Sequence, residues 1–229
     1  MEQDHATAQP AKNETGREHC PQCLKSQALC ICSEIHPLQT RIHVLILQHP
    51  QEPDKKLGSA RLAHLSLPNS TLKIGLSWRN LEAALGRKAV PAQWAVLYLG
   101  SGFARKGHAA APSLQFVSKK GLPLEPPIPA NQITGIVVLD GTWSQAKALW
   151  WRNPWLLKLR RAILTPGEKS LYRELRKEPR RECLSTIESI AEALLALGEA
   201  KETSLGLKKL FAKLLDRERQ RKSQRRPGP

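Results

Sequence analysis

No apolar run in this chain of 229 residues approaches the roughly 20 that a membrane-spanning helix needs. Residues 1–18 are polar and mixed in charge, without the apolar core of a secretory signal, so the expected compartment is the cytoplasm. Negative charge is also short. Twenty Asp and Glu stand against 36 Lys and Arg, a net charge of +16, with an isoelectric point near 10.0. A chain so deficient in acid favours polyanionic partners, nucleic acid first and an acidic membrane face second. Cysteine is sparse at five residues. In a reducing compartment that points to metal or catalysis rather than disulfides. The rest of the composition, 41% hydrophobic, suffices for one sizeable domain with appendages.

Residues 1–18 show no periodicity and are expected to be disordered. Four of the five cysteines then crowd into residues 19–37 as Cys20-x2-Cys23-x6-Cys30-x-Cys32, flanked by His19 and His36. Four thiolates at this density can close a tetrahedral site, for which Zn2+ is the usual ion. A site filled entirely by protein ligands is structural, here a scaffold or an RNA-contacting knuckle. Free thiols in a reduced cell, or a redox pair, are the competing readings.

Residues 38–200 read as an α/β domain. A β-rich run at 42–47 is stopped by Gln48-His49-Pro50. Ser59 then caps a short helical pattern that ends at Leu67. Half-buried alternation at 71–76 predicts a strand, and 78–85 a short amphipathic helix. The run 94–99 is another core strand, closed by Gly100-Ser101-Gly102, where backbone amides can approach a ligand closely. Short strands are expected at 114–118, inside a long Pro/Gly-rich loop, and at 160–164.

The central stretch is Ile136 to Leu139 followed by Asp140-Gly141-Thr142-Trp143. A buried strand that turns straight into a helix, capped by Thr142 or Ser144, puts the Asp140 carboxylate at the carboxyl edge of a sheet. Open α/β sheets bind their ligands there. The competing reading is that Asp140 caps the helix and Trp143 is core. Trp150, Trp151 and Trp155 follow, some packing the sheet and one available to stack on a base.

The segment 172–181 sets Tyr172 beside Arg173, Arg176, Lys177, Arg180 and Arg181, which suits phosphate contact and base stacking. Ser185 and Glu188 form a capping box for the next helix. In residues 201–229 the last helix carries an apolar stripe (Leu207, Leu210, Phe211, Leu214, Leu215) and a face of one sign that includes Lys209 and Lys213. That face reads as an RNA-contacting arm.

These residues make the chain resemble the DTW-domain family. The resemblance rests on Gln48-His-Pro50, Ser59-Ala-Arg-Leu-Ala63, Leu139-Asp-Gly-Thr-Trp143, Tyr172-Arg with Arg176-Lys-Glu-Pro179, Leu184-Ser-Thr-Ile-Glu188 and the cysteine cluster. It departs at Ser59, where a threonine is expected, and at Leu99, where proline is more usual before the glycine. The resemblance implies a tRNA-uridine aminocarboxypropyltransferase. Such an enzyme moves the 3-amino-3-carboxypropyl group of S-adenosylmethionine (SAM) to N3 of a uridine and releases methylthioadenosine. It also implies a SPOUT-like knotted, mostly parallel sheet with flanking helices, plus a small N-terminal zinc-knuckle segment.

Carried over, Asp140 is the base or the group that orients N3–H, with Trp143 packed behind it. Gln48, Ser59, Leu99, Gly100, Leu139, Gly141, Thr142, Leu184, Ser185 and Thr186 cradle SAM, and Arg176 or a helix-start amide holds its carboxylate. His49, Arg61, Tyr172, Arg173, Lys177, Arg180, Arg181, Lys209 and Lys213 contact tRNA. A monomer is favoured. A SPOUT-like RNA methyltransferase and a non-catalytic zinc-ribbon RNA-binding protein are the alternatives.

Overall fold

The computed structural model describes residues 19–53, 55–97, 113–125, 127–165, 170–171 and 184–224. Residues 1–18 lie outside them, as do Leu99, Gly100, Tyr172, Arg173, Arg176, Lys177, Arg180 and Arg181. Six strands form one sheet: β1 (His43–Gln48), β2 (Ser70–Ile74), β3 (Trp94–Leu97), β4 (Ser113–Val117), β5 (Gly135–Asp140) and β6 (Arg160–Thr165). Their order is β2-β1-β5-β3-β6-β4. Every neighbouring pair is parallel except β4 with β6. The helices are α1 (Ala60–Ser66), α2 (Leu81–Leu85), α3 (Trp143–Arg152), α4 (Thr186–Ala196) and α5 (Lys201–Gln224).

The near-continuous apolar runs of β1 and β5 follow from their place inside the sheet, where both faces are covered. Side chains alternate between two cores. Val44, Ile46, Ile136 and Val138 pack with α1, α4, α5 and the cysteine segment. Leu45, Leu47, Val137 and Leu139 pack with α2, α3 and Trp155. Gly135 faces Trp94 across the β3–β5 pair. A Cβ there would stand 2.6 Å from the indole, so the close approach requires glycine.

The predicted helix over 78–85 shortens to Leu81–Leu85. Asn80 caps it by accepting from the Ala83 amide at 2.8 Å, and Gly86 ends it in the left-handed region. Trp78, its expected start, is held instead through its amide by Asn153 Oδ1 at 2.8 Å.

The tryptophans divide as the sequence allowed. Trp155 is buried, and Trp150 lies under the Arg161 guanidinium, 5.6 Å from its ring centroid. Trp151 is 78% exposed.

All five residues of the α5 stripe are buried, and the helix is part of the main core. Much of its basic face is also engaged within the fold. Lys208 pairs with buried Glu192 of α4, Lys213 pairs with Glu34, and Arg217 donates to the Cys30 carbonyl. Lys213, expected at phosphate, is therefore first a clamp on the cysteine segment, whereas Lys209 is exposed. Among the described residues no helix is long and apolar enough to cross a membrane.

Candidate active site

Parallel pairing sets the ends of β1 and β5 side by side, with Gln48 in register with Asp140. The Asp140 side chain is only 7% exposed. Gln48 Nε2 donates to its Oδ2 at 2.8 Å, and the Thr186 hydroxyl donates to its Oδ1. Thr186 is the first residue of α4, so the carboxylate joins β1, β5 and the start of that helix. Asp140 does not cap α3. Thr142 does, in a reciprocal capping box with Gln145. The Asp140 carboxylate thus lies at the carboxyl edge, where such sheets bind ligands.

The flanking turns are close-packed. A Cβ on Gly141 would meet Gln145 Cβ at 2.8 Å, so the turn after Asp140 packs tightly on the first turn of α3, with His49 Cβ in ordinary contact at 3.5 Å. Ser59 does not cap α1 as its position suggested. Its buried hydroxyl accepts from the Ile187 amide at 3.2 Å, tying the start of α1 to the start of α4. Ser185 caps α4 as expected. Its partner Glu188 does more than the capping box requires. Besides the Ser185 amide and hydroxyl, its carboxylate accepts from the Ser170 hydroxyl at 2.9 Å and the Leu171 amide at 2.7 Å. Trp143, the first residue of α3, is 37% exposed.

Among the described residues, Gln48 Oε1, an acceptor, and Arg61 Nε, a donor, are buried without a hydrogen-bond partner. Buried groups of this kind are normally satisfied, which makes these two atoms candidates for contact with a bound molecule. Sequence reasoning missed two further residues. Glu52, in the turn that leaves β1, is buried. Lys25, two residues past Cys23, is 3% exposed, and its Nζ donates to the Lys55 carbonyl at 2.7 Å. Burial pulls the Lys25 ammonium down to about 8, opposed by the charges of Cys23 and Asp140 and assisted by Arg61. A lysine in a cysteine knuckle looks like ordinary surface charge, so only the fold reveals its burial.

Cys20, Cys23, Cys30 and Cys32 bring their Sγ atoms within 4.8 Å of one another, and Cys20 and Cys32 are 3.6 Å apart. Four sulfurs at about 2.3 Å from a tetrahedral ion would lie roughly 3.8 Å apart, so the set fits a metal. The knuckle is shaped by Leu24 at φ 58 and by the Cys20 amide, which donates to the Lys25 carbonyl at 2.7 Å. Burial and neighbouring sulfurs push the Cys32 thiol up, and burial does the same for Cys23. For Cys20, burial pulls upward, but the amides of Cys23 and Gln22 prevail and bring it down to about 7. Thiols this crowded resist ionising together until a cation joins them.

The family model described as the DTW domain matches residues 17–219. The chain is 30% identical over 194 residues to a Macaca fascicularis protein named tRNA-uridine aminocarboxypropyltransferase 2, covering 82% of this chain and 58% of that one. A Mus musculus protein of the same name is 29% identical over 194 residues, with 82% and 59% covered. A Drosophila melanogaster protein of that name is 29% identical over 192 residues, with 79% and 67% covered. The chain therefore spans less than two thirds of the macaque and mouse proteins. No solved structure matches it at a significant level. The family match begins ahead of the cysteines and ends within α5, taking in every element of the site, and the chain belongs to the DTW domain family.

Proposed function

We propose that this protein transfers the 3-amino-3-carboxypropyl group of SAM to N3 of a tRNA uridine, releasing methylthioadenosine. The observation that carries the reading is the Asp140 carboxylate, buried and held by Gln48 and Thr186 at the carboxyl edge of the sheet. Relatives named for this activity support it, as does the net charge of +16. Bound SAM would supply an electrophilic γ-carbon next to a sulfonium leaving group. The new N3–C bond forms as the C–S bond breaks, and its electron pair leaves with sulfur as a neutral thioether.

The chain's own task is to place N3 in line and to take or orient its proton, work in which positioning supplies much of the rate. Asp140 is suited to it because both oxygens are fixed by donors that cannot follow the substrate. Gln48 Oε1 and Arg61 Nε, without partners among the described residues, can satisfy donor and acceptor groups of the bound molecules. Buried Lys25 adds positive charge on the same side, a counter-charge for the transferred group's carboxylate. Ser59, Leu139, Gly141, Thr142, Leu184, Ser185 and Thr186 border this edge. The four cysteines hold a structural Zn2+, which fixes the segment that delivers Lys25. The parallel order, with β5 between β1 and β3 and α4 returning to Asp140, supports a SPOUT-like knotted path.

The test is to incubate the protein with SAM and tRNA and analyse both products. Methylthioadenosine together with an aminocarboxypropyl-uridine among the digested nucleosides is expected. Release of S-adenosylhomocysteine instead would make the protein a methyltransferase, and SAM binding with no product would make it a binding protein.

A further inference from the structure

Helix α3 leaves the site directly, and its two sides differ. Ala146, Leu149 and the half-buried Trp150 face the core with Trp155. Trp143, Lys147 and Trp151 occur at intervals of four, which keeps them within a sector of roughly 80° centred about 120° from the buried face. All three are exposed, Trp143 at 37% and Trp151 at 78%. Indoles gain more from burial than almost any other side chain, so two of them on one open helical face mark a binding surface.

The charge around that face selects the occupant. Helix α3 and the turn that follows it carry exposed Lys147, Arg152 and Lys158, and no acid lies between Gly141 and Leu159. At the far end of α3 the Ser77 hydroxyl donates to the Arg152 carbonyl at 3.0 Å, which brings exposed Arg79 to the same region. A second copy of this chain would set these cations against themselves. A nucleic acid strand would meet them with phosphate and offer base faces to the indoles.

We propose that the Trp143–Lys147–Trp151 face of α3 is a stacking track for unpaired bases of the RNA substrate, leading the strand to Asp140. The two indoles lie about 12 Å apart along the helix axis, the rise of three to four nucleotides at roughly 3.4 Å each. Lys147 stands midway, where a phosphate would pass. The proposal rests on the reading of the site as a tRNA-modifying centre, and it adds the face along which the substrate approaches.

The experiment uses the full chain and unfractionated tRNA, with affinity measured across a salt series and SAM binding measured in parallel. Trp151→Ala should weaken tRNA binding roughly five- to a hundredfold. The slope of log affinity against log salt should not change, because stacking releases no counterions. Trp151→Phe should restore most of the loss. Lys147→Gln should instead make that slope shallower by about one. Melting temperature and SAM affinity should stay at wild-type values in all three.

Trp151→Ala binding tRNA within twofold of wild type would overturn the track. So would a wild-type dimer in sedimentation that Trp151→Ala dissociates, since the face would then belong to a second copy. If wild type releases methylthioadenosine and Trp151→Ala matches it in binding and rate, only the track fails. If wild type binds no tRNA, the track and the functional reading fail together.

Discussion

Replacing Asp140 by Asn isolates the charge of the central carboxylate, and the structure sets how much else the change disturbs. Asp140 receives two hydrogen bonds, from the Thr186 hydroxyl to Oδ1 and from Gln48 Nε2 to Oδ2. Asn keeps one acceptor, which serves Thr186, and turns an NH2 group towards Gln48. Gln48 Oε1 has no partner among the described residues, so a half-turn of the Gln48 amide restores the second bond. The fold then exchanges two charge-assisted bonds for two neutral ones and no longer buries a charge. The net cost is about 1–2 kcal/mol, a fall of roughly 2–8 °C in melting temperature for a chain of this size.

The chemistry has no such repair. Loss of a placed acid or base costs roughly 10²–10⁴-fold, about 3–5 kcal/mol of barrier. The assay is methylthioadenosine release with tRNA and saturating SAM, at a temperature where both proteins are folded. SAM affinity is measured alongside and should change little. A variant within a fewfold of wild type would remove Asp140 from the reaction and leave the motif only a positioning role. A melting temperature lower by more than about 15 °C would refute the Gln48 repair.

Wild-type protein prepared without chelator should carry one zinc per chain by elemental analysis. Cys23→Ser should lose it and melt earlier, because structural metals contribute to folding directly. A chain ending at residue 200 should not fold at all, rather than merely lose RNA affinity. Leu207, Leu210, Phe211, Leu214 and Leu215 are buried, and at about 1.5–3 kcal/mol each their loss equals the stability of a typical domain. A cooperative melt of that truncation would contradict the place of α5 in the core.

Burial lowers the His43 pKa, with Arg87 and His64 adding to the shift and its Asn69 bond opposing. The unfolded chain therefore takes up this proton first as pH falls through about 6.5, and the folded state loses stability below that point. Urea midpoints should drop between pH 7 and 5.5, and by less in His43→Gln. An equal drop in the variant would assign the acid sensitivity elsewhere.

Features written in neighbouring residues are legible in the amino-acid sequence by itself. The strands at β1 and β5 follow from apolar runs, and the cap at Ser185 from a hydroxyl three residues ahead of Glu188, while the α3 cap is narrowed to Thr142 or Ser144. The cysteine cluster follows from spacing alone. Each depends on hydrogen bonds or periodicity that close within a few residues, so the local order of side chains determines it.

What the fold alone decided depends on pairs far apart in the chain. Gln48 reaches Asp140 across 92 residues because β5 lies beside β1, although 86 residues separate those two strands in the chain. Ser59 holds α4 across 128 residues and so leaves its own helix uncapped. Lys213 and Arg217 look like phosphate contacts until α5 packs on the cysteine segment, and Lys25 looks solvated until the fold buries it. Among three nearby tryptophans only strand order and helix phase settle that Trp155 is core and Trp151 faces water. Composition counts charges and indoles; which of them remain available to a ligand is set by what the tertiary structure has already consumed.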